Sequence, residues 1–190
     1  MAAPLYYTAE MVRELADEGR PWPRYETVYG ELLVTPAPRW WHQELVLRLA
    51  SALRGYIERE AAGRVVIAPA DVSWGSDRLV QPDVFVIPVE ATRNWDWKDI
   101  KQLLLVIEVL SPSTVRGDRF TKRRLYQEAR VPLYWIVDAD VHAVEVWTPD
   151  VHFPRLEHDE LIWHPSGAAG PFTMRLEELF RSTGHSSATD

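Results

Sequence analysis

Two apolar runs, Val80-Gln81-Pro82-Asp83-Val84-Phe85-Val86-Ile87 and Leu103-Leu104-Leu105-Val106-Ile107-Glu108-Val109-Leu110, decide the fold. Both are short and rich in β-branched and aliphatic residues, the pattern of strands buried on two faces. Each carries one carboxylate, Asp83 and Glu108, where an ordinary core would hold an apolar side chain. A carboxylate in such a strand is costly to desolvate unless a cation or a set of donors meets it. The pair therefore marks a candidate metal site.

Working outward, the segment after the second run is a helix, Arg116 to Arg130, and Leu133 to Val137 then reads as another strand. Strand, helix and strand in that order imply a crossover unit with the helix packed on a sheet, and hence a mixed α/β fold. On a wheel of about 100° per residue, Asp118, Lys122 and Tyr126 share the inward face of this helix with Leu125 and Ala129. Arg116, Arg119, Arg123 and Arg130 form a stripe beside them. Asp118 and Lys122 also have the spacing of a surface ion pair, which contributes only a few tenths of a kcal/mol. On the core side one partner does not offset desolvation, so a functional role is the stronger reading. The arginine stripe is either a solvated face or, beside two carboxylates, a phosphate-binding surface.

Upstream, Thr8 caps a helix expected over Ala9 to Glu18. Tyr25 to Tyr29 and Glu31 to Thr35 read as strands about Gly30. His42 to Glu60 is the clearest helix, with Leu45, Val46, Leu49, Leu53, Tyr56 and Ile57 at helical spacing. His42 lies within that apolar arc and Glu44 points to water. A histidine so placed is more often a packing residue than a ligand; the functional alternative is that it borders the carboxylate site. Val65 to Trp74 and Leu79 to Pro88 read as paired strands joined by Gly75-Ser76-Asp77. Trp95 and Trp97 fall in a polar loop and are expected to anchor it. Ala143 to Trp147 is a further strand, and Leu176 to Phe180 a terminal turn.

The 190 residues suit one domain, expected over 1–183 with a flexible tail at 184–190. With 46% hydrophobic and 26% charged residues the chain is an ordinary globular sequence. Cysteine is absent, so any metal must use oxygen or imidazole ligands. A basic start followed by an apolar run is lacking and no run reaches membrane-spanning length, so a cytoplasmic protein with no membrane partner is expected. The net charge of -7 argues against a non-specific polyanion coat. Between Arg116 and Arg130, however, six basic residues outnumber two acidic ones, a basic patch on an acidic body.

Pro82-Asp83, Glu108-Val109-Leu110-Ser111-Pro112-Ser113-Thr114, Asp118, Lys122, Tyr126 and Tyr134-Trp135-Ile136-Val137-Asp138 together resemble the Uma-two family of restriction endonucleases, within the PD-(D/E)xK nuclease superfamily. The likeness runs from Tyr25-Glu26 and Gly30-Glu31-Leu32, through His42, to Leu176 to Phe180. It implies a restriction-endonuclease-like fold, a central mixed β-sheet flanked by helices, with additional N-terminal and C-terminal strands. It also implies Asp83 and Glu108 as ligands of Mg²⁺, with Mn²⁺ a possible substitute, and Lys122 as the lysine of the motif. In the superfamily that lysine stands two residues after the second acid, where this chain has Leu110; the family is understood to carry it on the following helix. The Val109 carbonyl is a further candidate ligand. His42, Asp118, Tyr126, Arg119 and Arg123 are candidates for supporting or substrate contacts. The function expected is a Mg²⁺-dependent DNA endonuclease acting as a homodimer. The alternative is a catalytically silent nuclease-fold module that binds nucleic acid or a protein partner. A two-carboxylate glycosidase is a poorer match, because an inward lysine suits a phosphate better than a sugar.

Overall fold

The computed structural model describes residues 6–16, 22–92 and 100–181. The expected tail at 184–190, the loop tryptophans Trp95 and Trp97, and the last residues of the first expected helix lie outside them. In chain order the elements are α1 (Ala9–Leu15), β1 (Arg24–Val28), β2 (Glu31–Thr35), α2 (Trp40–Glu60), β3 (Arg64–Ile67), β4 (Val72–Ser73), β5 (Arg78–Val80), β6 (Val84–Ile87) and β7 (Leu105–Val109). A π-helical turn, Gly117–Lys122, leads into α3 (Arg123–Glu128). Then come β8 (Tyr134–Asp138), β9 (Ala143–Trp147), β10 (Arg155–Glu157), β11 (Glu160–Trp163), β12 (Phe172–Arg175) and α4 (Leu176–Phe180).

The central layer is a six-stranded sheet in the order β10-β9-β8-β7-β6-β3. Among the described residues its only parallel pair is β7 with β8, the strands joined through the π turn and α3, as the crossover reading requires. One face packs on α2, α4, β11 and β12 through Val84, Val86, Leu105, Ile107, Val109, Trp135 and Val137. The opposite face presents Phe85, Ile87, Val106, Tyr134 and Ile136 to Leu125 and Tyr126 of α3 and to Val28, Val72 and Val80 of a second sheet, ordered β2-β1-β5-β4. Strand alternation then fixes the acids. Glu108 follows Val106 by two residues and Asp83 precedes Phe85 by two, so both side chains face α3. In the β6–β7 register Val84 lies opposite Ile107, and one further step places Asp83 opposite Glu108.

The expected long hairpin, Val65 to Trp74 with Leu79 to Pro88, is divided. Its outer halves, β3 and β6, pair in the central sheet, while its inner halves, β4 and β5, pair in the second sheet. Pro69 and Pro82 stand at the two breaks, where each lacks the N–H a continuous ladder would use. Asp83 therefore sits just ahead of β6 rather than inside a strand. The Tyr29-Gly30 turn joining β1 to β2 has φ values of 54° and 78°, a two-residue hairpin that fixes the register of β1. Glu44, expected in water, is half-buried and pairs with Arg48 at 2.8 Å. Among the described residues no helix is long and apolar enough to cross a membrane.

Candidate active site

Asp83, Glu108, Lys122 and Asp118 converge on a cavity of about 220 Å³, closed by His42 and Arg39 of the α2 start, Arg24, and the Ser111-Pro112-Ser113-Thr114 loop. Its ionisable side chains are deeply buried apart from Arg39: Asp83, Glu108, Asp118, Lys122, His42 and Arg24 all belong to the interior.

Asp83 receives donors on both oxygens. Arg24 Nη2 donates to Oδ1 at 2.9 Å. His42 Nε2 lies 3.1 Å from Oδ2, and the Val109 N–H donates to the same oxygen at 3.0 Å. Burial alone would push this carboxyl up; the hydrogen bond and charge of His42, then Arg24 and the Val109 amide, outweigh it and hold Asp83 well below the usual carboxylate range. Glu108 behaves oppositely. Lys122 Nζ donates to its Oε1 at 3.0 Å and the Tyr126 hydroxyl to the same atom at 3.1 Å, while among the described residues Oε2 receives only the Asp83 N–H at 3.4 Å. Burial pushes Glu108 well above its ordinary value against the pull of Lys122, and the charges of Asp118, Asp83 and Glu26 add to the rise.

The inward turn of the helix expected from the wheel is present, through a different helical geometry. Over Gly117–Lys122 the helix is π-wound, with the Arg123 N–H reaching back to the Asp118 carbonyl. Such turns recur at functional sites, where one extra residue re-aims side chains. Lys122, 4% exposed, holds three carboxylates: Glu26 Oε2 at 2.9 Å, Glu108 Oε1 at 3.0 Å and Asp118 Oδ1 at 3.4 Å. Burial would lower the lysine, but Glu108, Glu26 and Asp118 together raise it well above its ordinary value. Asp118 is pushed up to about 6 by burial, with Lys122 opposing.

Two residues of this network, Arg24 and Glu26, were not among the sequence candidates. They alternate with Val28 on one face of β1, and Val28 packs into the same core as α3. Glu26 Oε1 also accepts the Gln81 N–H at 2.7 Å. The signal available was a strand with charged residues two apart, in phase with an apolar core residue. His42 borders the carboxylate site, its Nε2 against Asp83 Oδ2. Arg119 and Arg123 do not line the acidic cavity. Arg119 is fixed by Asp138 at 2.8 Å and Glu145 at 2.6 Å. Arg123 bonds the Arg119 carbonyl and Gln127 and lies over the Trp147 ring. Both hold the helix to the sheet, so the arginine stripe is mostly engaged internally. Tyr126 is committed to Glu108, and Leu110 is buried in the core.

Four carboxylates, Glu26, Asp83, Glu108 and Asp118, are buried beside Arg24, Lys122 and His42, and burial holds Glu108 and Asp118 above their ordinary values. Among the described residues Asp83 Oδ1 and Glu108 Oε2 each accept one donor. Among the described residues no group of three His, Asp or Glu side chains converges as a metal cage. Two carboxylates with water completing the shell suit hard Mg²⁺, which keeps several waters. The Val109 carbonyl leaves the strand on the same edge as its N–H, which meets Asp83. A larger cavity of about 350 Å³ lies between α2 and β3. Its charged walls, Arg54, Glu58 and Arg64, are exposed, and it holds no comparable buried cluster.

The family profile Uma2, described as "Putative restriction endonuclease", matches residues 9–169. Among solved structures, one described as a putative nuclease from Anabaena variabilis ATCC 29413 aligns over 91% of this chain and 97% of its own, at 20% identity and a TM-score of 0.71. At that identity the likeness establishes the fold, which is restriction-endonuclease-like with a mixed central sheet. No curated protein sequence matches the chain.

Proposed function

Because the chain belongs to the Uma2 family, described as "Putative restriction endonuclease", we propose that it is a Mg²⁺-dependent endonuclease that hydrolyses phosphodiester bonds in DNA. The observation that carries this reading is the convergence of Asp83, Glu108 and Lys122, all deeply buried, on one cavity. Asp83 and Glu108, with the Val109 carbonyl, would hold Mg²⁺ or Mn²⁺. The bound ion would supply charge neutralisation for a phosphate and acidity for a water.

The remaining chemistry belongs to the chain. Arg24, His42 and the Val109 amide keep Asp83 ionised and oriented. Tyr126 and Lys122 fix Glu108 Oε1, leaving Oε2 toward the cavity. The three hydrogens of Lys122 are shared among Glu26, Glu108 and Asp118, and the contact to Asp118 is the longest. A phosphate oxygen entering the cavity would displace Asp118 and take that hydrogen, stabilising the charge that builds at phosphorus. Two copies related by a two-fold axis provide the simplest way to cut both strands, so we place the active form as a cytoplasmic homodimer.

One feature favours the silent-module reading: the two acids already have internal donors, as in a structural network. Nicking of supercoiled plasmid separates the two. Wild type should cleave with Mg²⁺ or Mn²⁺ and not with EDTA, while Asp83→Asn, Glu108→Gln and Lys122→Ala should each lose cleavage. Equal cleavage by all proteins, or none under any metal, overturns the enzymatic reading. Calorimetry showing no Asp83-dependent Mg²⁺ binding would point to the silent module.

A further inference from the structure

We propose that Glu26 is the positioning residue for Lys122, a role that rests on the nuclease reading of the same site. Lys122 reaches the cavity from the π turn at the end of a long flexible stem, so its ammonium group is located by what it touches. Of its three carboxylates, Glu108 and Asp118 line the Asp83 cavity and are open to a metal ion or a substrate there, whereas Glu26 is absent from that cavity and borders, with Asp118 and Lys122, a separate one of about 190 Å³. Glu26 makes the shortest contact of the three, at 2.9 Å, and is 1% exposed.

Its other oxygen completes the device. Glu26 Oε1 takes the Gln81 N–H at 2.7 Å, immediately before Pro82, which has no N–H of its own to tie the segment down. Asp83 follows. One carboxylate thus spans the lysine and the backbone that carries the first acid, and sets the distance between them. When ligands draw Glu108 and Asp118 away from Lys122, Glu26 remains as its fixed partner. A misplacement of such a group by about 1 Å costs on the order of 100-fold in rate.

Glu26→Gln isolates this role. The amide oxygen still accepts the Gln81 N–H, but the charge opposite Lys122 is lost. With wild type as the parallel control, the Mg²⁺-dependent nicking rate at saturating DNA should fall about 10- to 100-fold. KM for DNA and the calorimetric Mg²⁺ affinity should stay close to wild type, a split that a purely structural role does not produce. If Glu26→Gln does not fold, Glu26→Asp, which keeps the charge and shortens the reach, is held to the same criteria. A kcat within about threefold of wild type, or a fall matched by an equal loss in Mg²⁺ affinity, overturns the proposal while leaving the nuclease reading intact. Absence of wild-type cleavage under every metal overturns both.

Discussion

Replacing Lys122 by Met tests the buried network directly. The methionine fills nearly the same volume, so the change is one of charge. In the wild type the ammonium is 4% exposed and meets carboxylates at 2.9, 3.0 and 3.4 Å. Removing it leaves Glu26, Glu108 and Asp118 buried without the cation they share. Breaking a buried pair from one side costs about 3–5 kcal/mol, whereas the same change in an exposed i, i+4 pair costs about 0.3–0.5 kcal/mol. For a chain of this length each kcal/mol moves the midpoint by about 2–4 °C, so the expected fall is on the order of 6–20 °C. The raised lysine keeps its full stabilisation below its unfolded value near 10.4, so a measurement at neutral pH captures all of it. The assay is urea and thermal denaturation followed by circular dichroism, in EDTA. The double variant Glu26→Gln/Lys122→Met supplies the control: removing an anion with the cation should make the pair less destabilising than the sum of the singles, by about 0.5–3 kcal/mol. A loss under about 1 kcal/mol, or strict additivity, would refute the charge arrangement described here.

Further outcomes follow from the same geometry. Mg²⁺ at about 100 times its dissociation constant should stabilise the protein by about 2.7 kcal/mol, and Asp83→Asn or Glu108→Gln should abolish the shift in differential scanning fluorimetry. In metal-free protein, Asp118 rises to about 6 from an unfolded value near 3.9, so the folded state binds more protons between those limits. Its contribution therefore weakens as pH climbs from about 4 to 6, by roughly 2–3 kcal/mol, and Asp118→Asn should flatten that part of the stability profile. Asp83 works in the opposite sense, with stability present above its unfolded value and lost only under stronger acid. Arg119→Ala should lower the thermal midpoint through loss of Asp138 and Glu145 yet leave the salt dependence of DNA binding unchanged. Arg39→Ala, at the exposed mouth of the cavity, should reduce that salt slope by about one.

The strongest sequence signals were those set by local period. Consecutive buried positions in β7, the apolar stripe of α2 and the inward face carrying Asp118, Lys122 and Tyr126 could be read from spacing alone. Arg24 and Glu26 could not, because a charged residue at every second strand position has the same pattern on a solvated face and on a buried polar one. Which face is buried is decided by α3, nearly a hundred residues later in the chain. The division of the hairpin between two sheets was hidden for a related reason: prolines 69 and 82 announce interruptions without saying which sheet each half joins. Arg119 and Arg123 show the converse. Their spacing suggested a common surface, but Asp138 and Glu145, supplied by other strands, turn Arg119 to a structural use, and Trp147 and Gln127 do the same for Arg123.

The π turn at Gly117–Lys122 has a consequence for how this protein tolerates change. A π turn holds one residue more than the α-helical turn it replaces, so the orientation of Lys122 relative to Asp118 depends on chain length as well as on residue identity. Most substitutions on the outer side of the turn leave that count alone. Deleting a single residue there would restore an ordinary helix and rotate one of the two side chains by about 100° relative to the other. The active face is thus vulnerable to a shift in spacing even where every functional side chain is retained, and homologues of this architecture should accept exchanges in this segment far more readily than insertions or deletions.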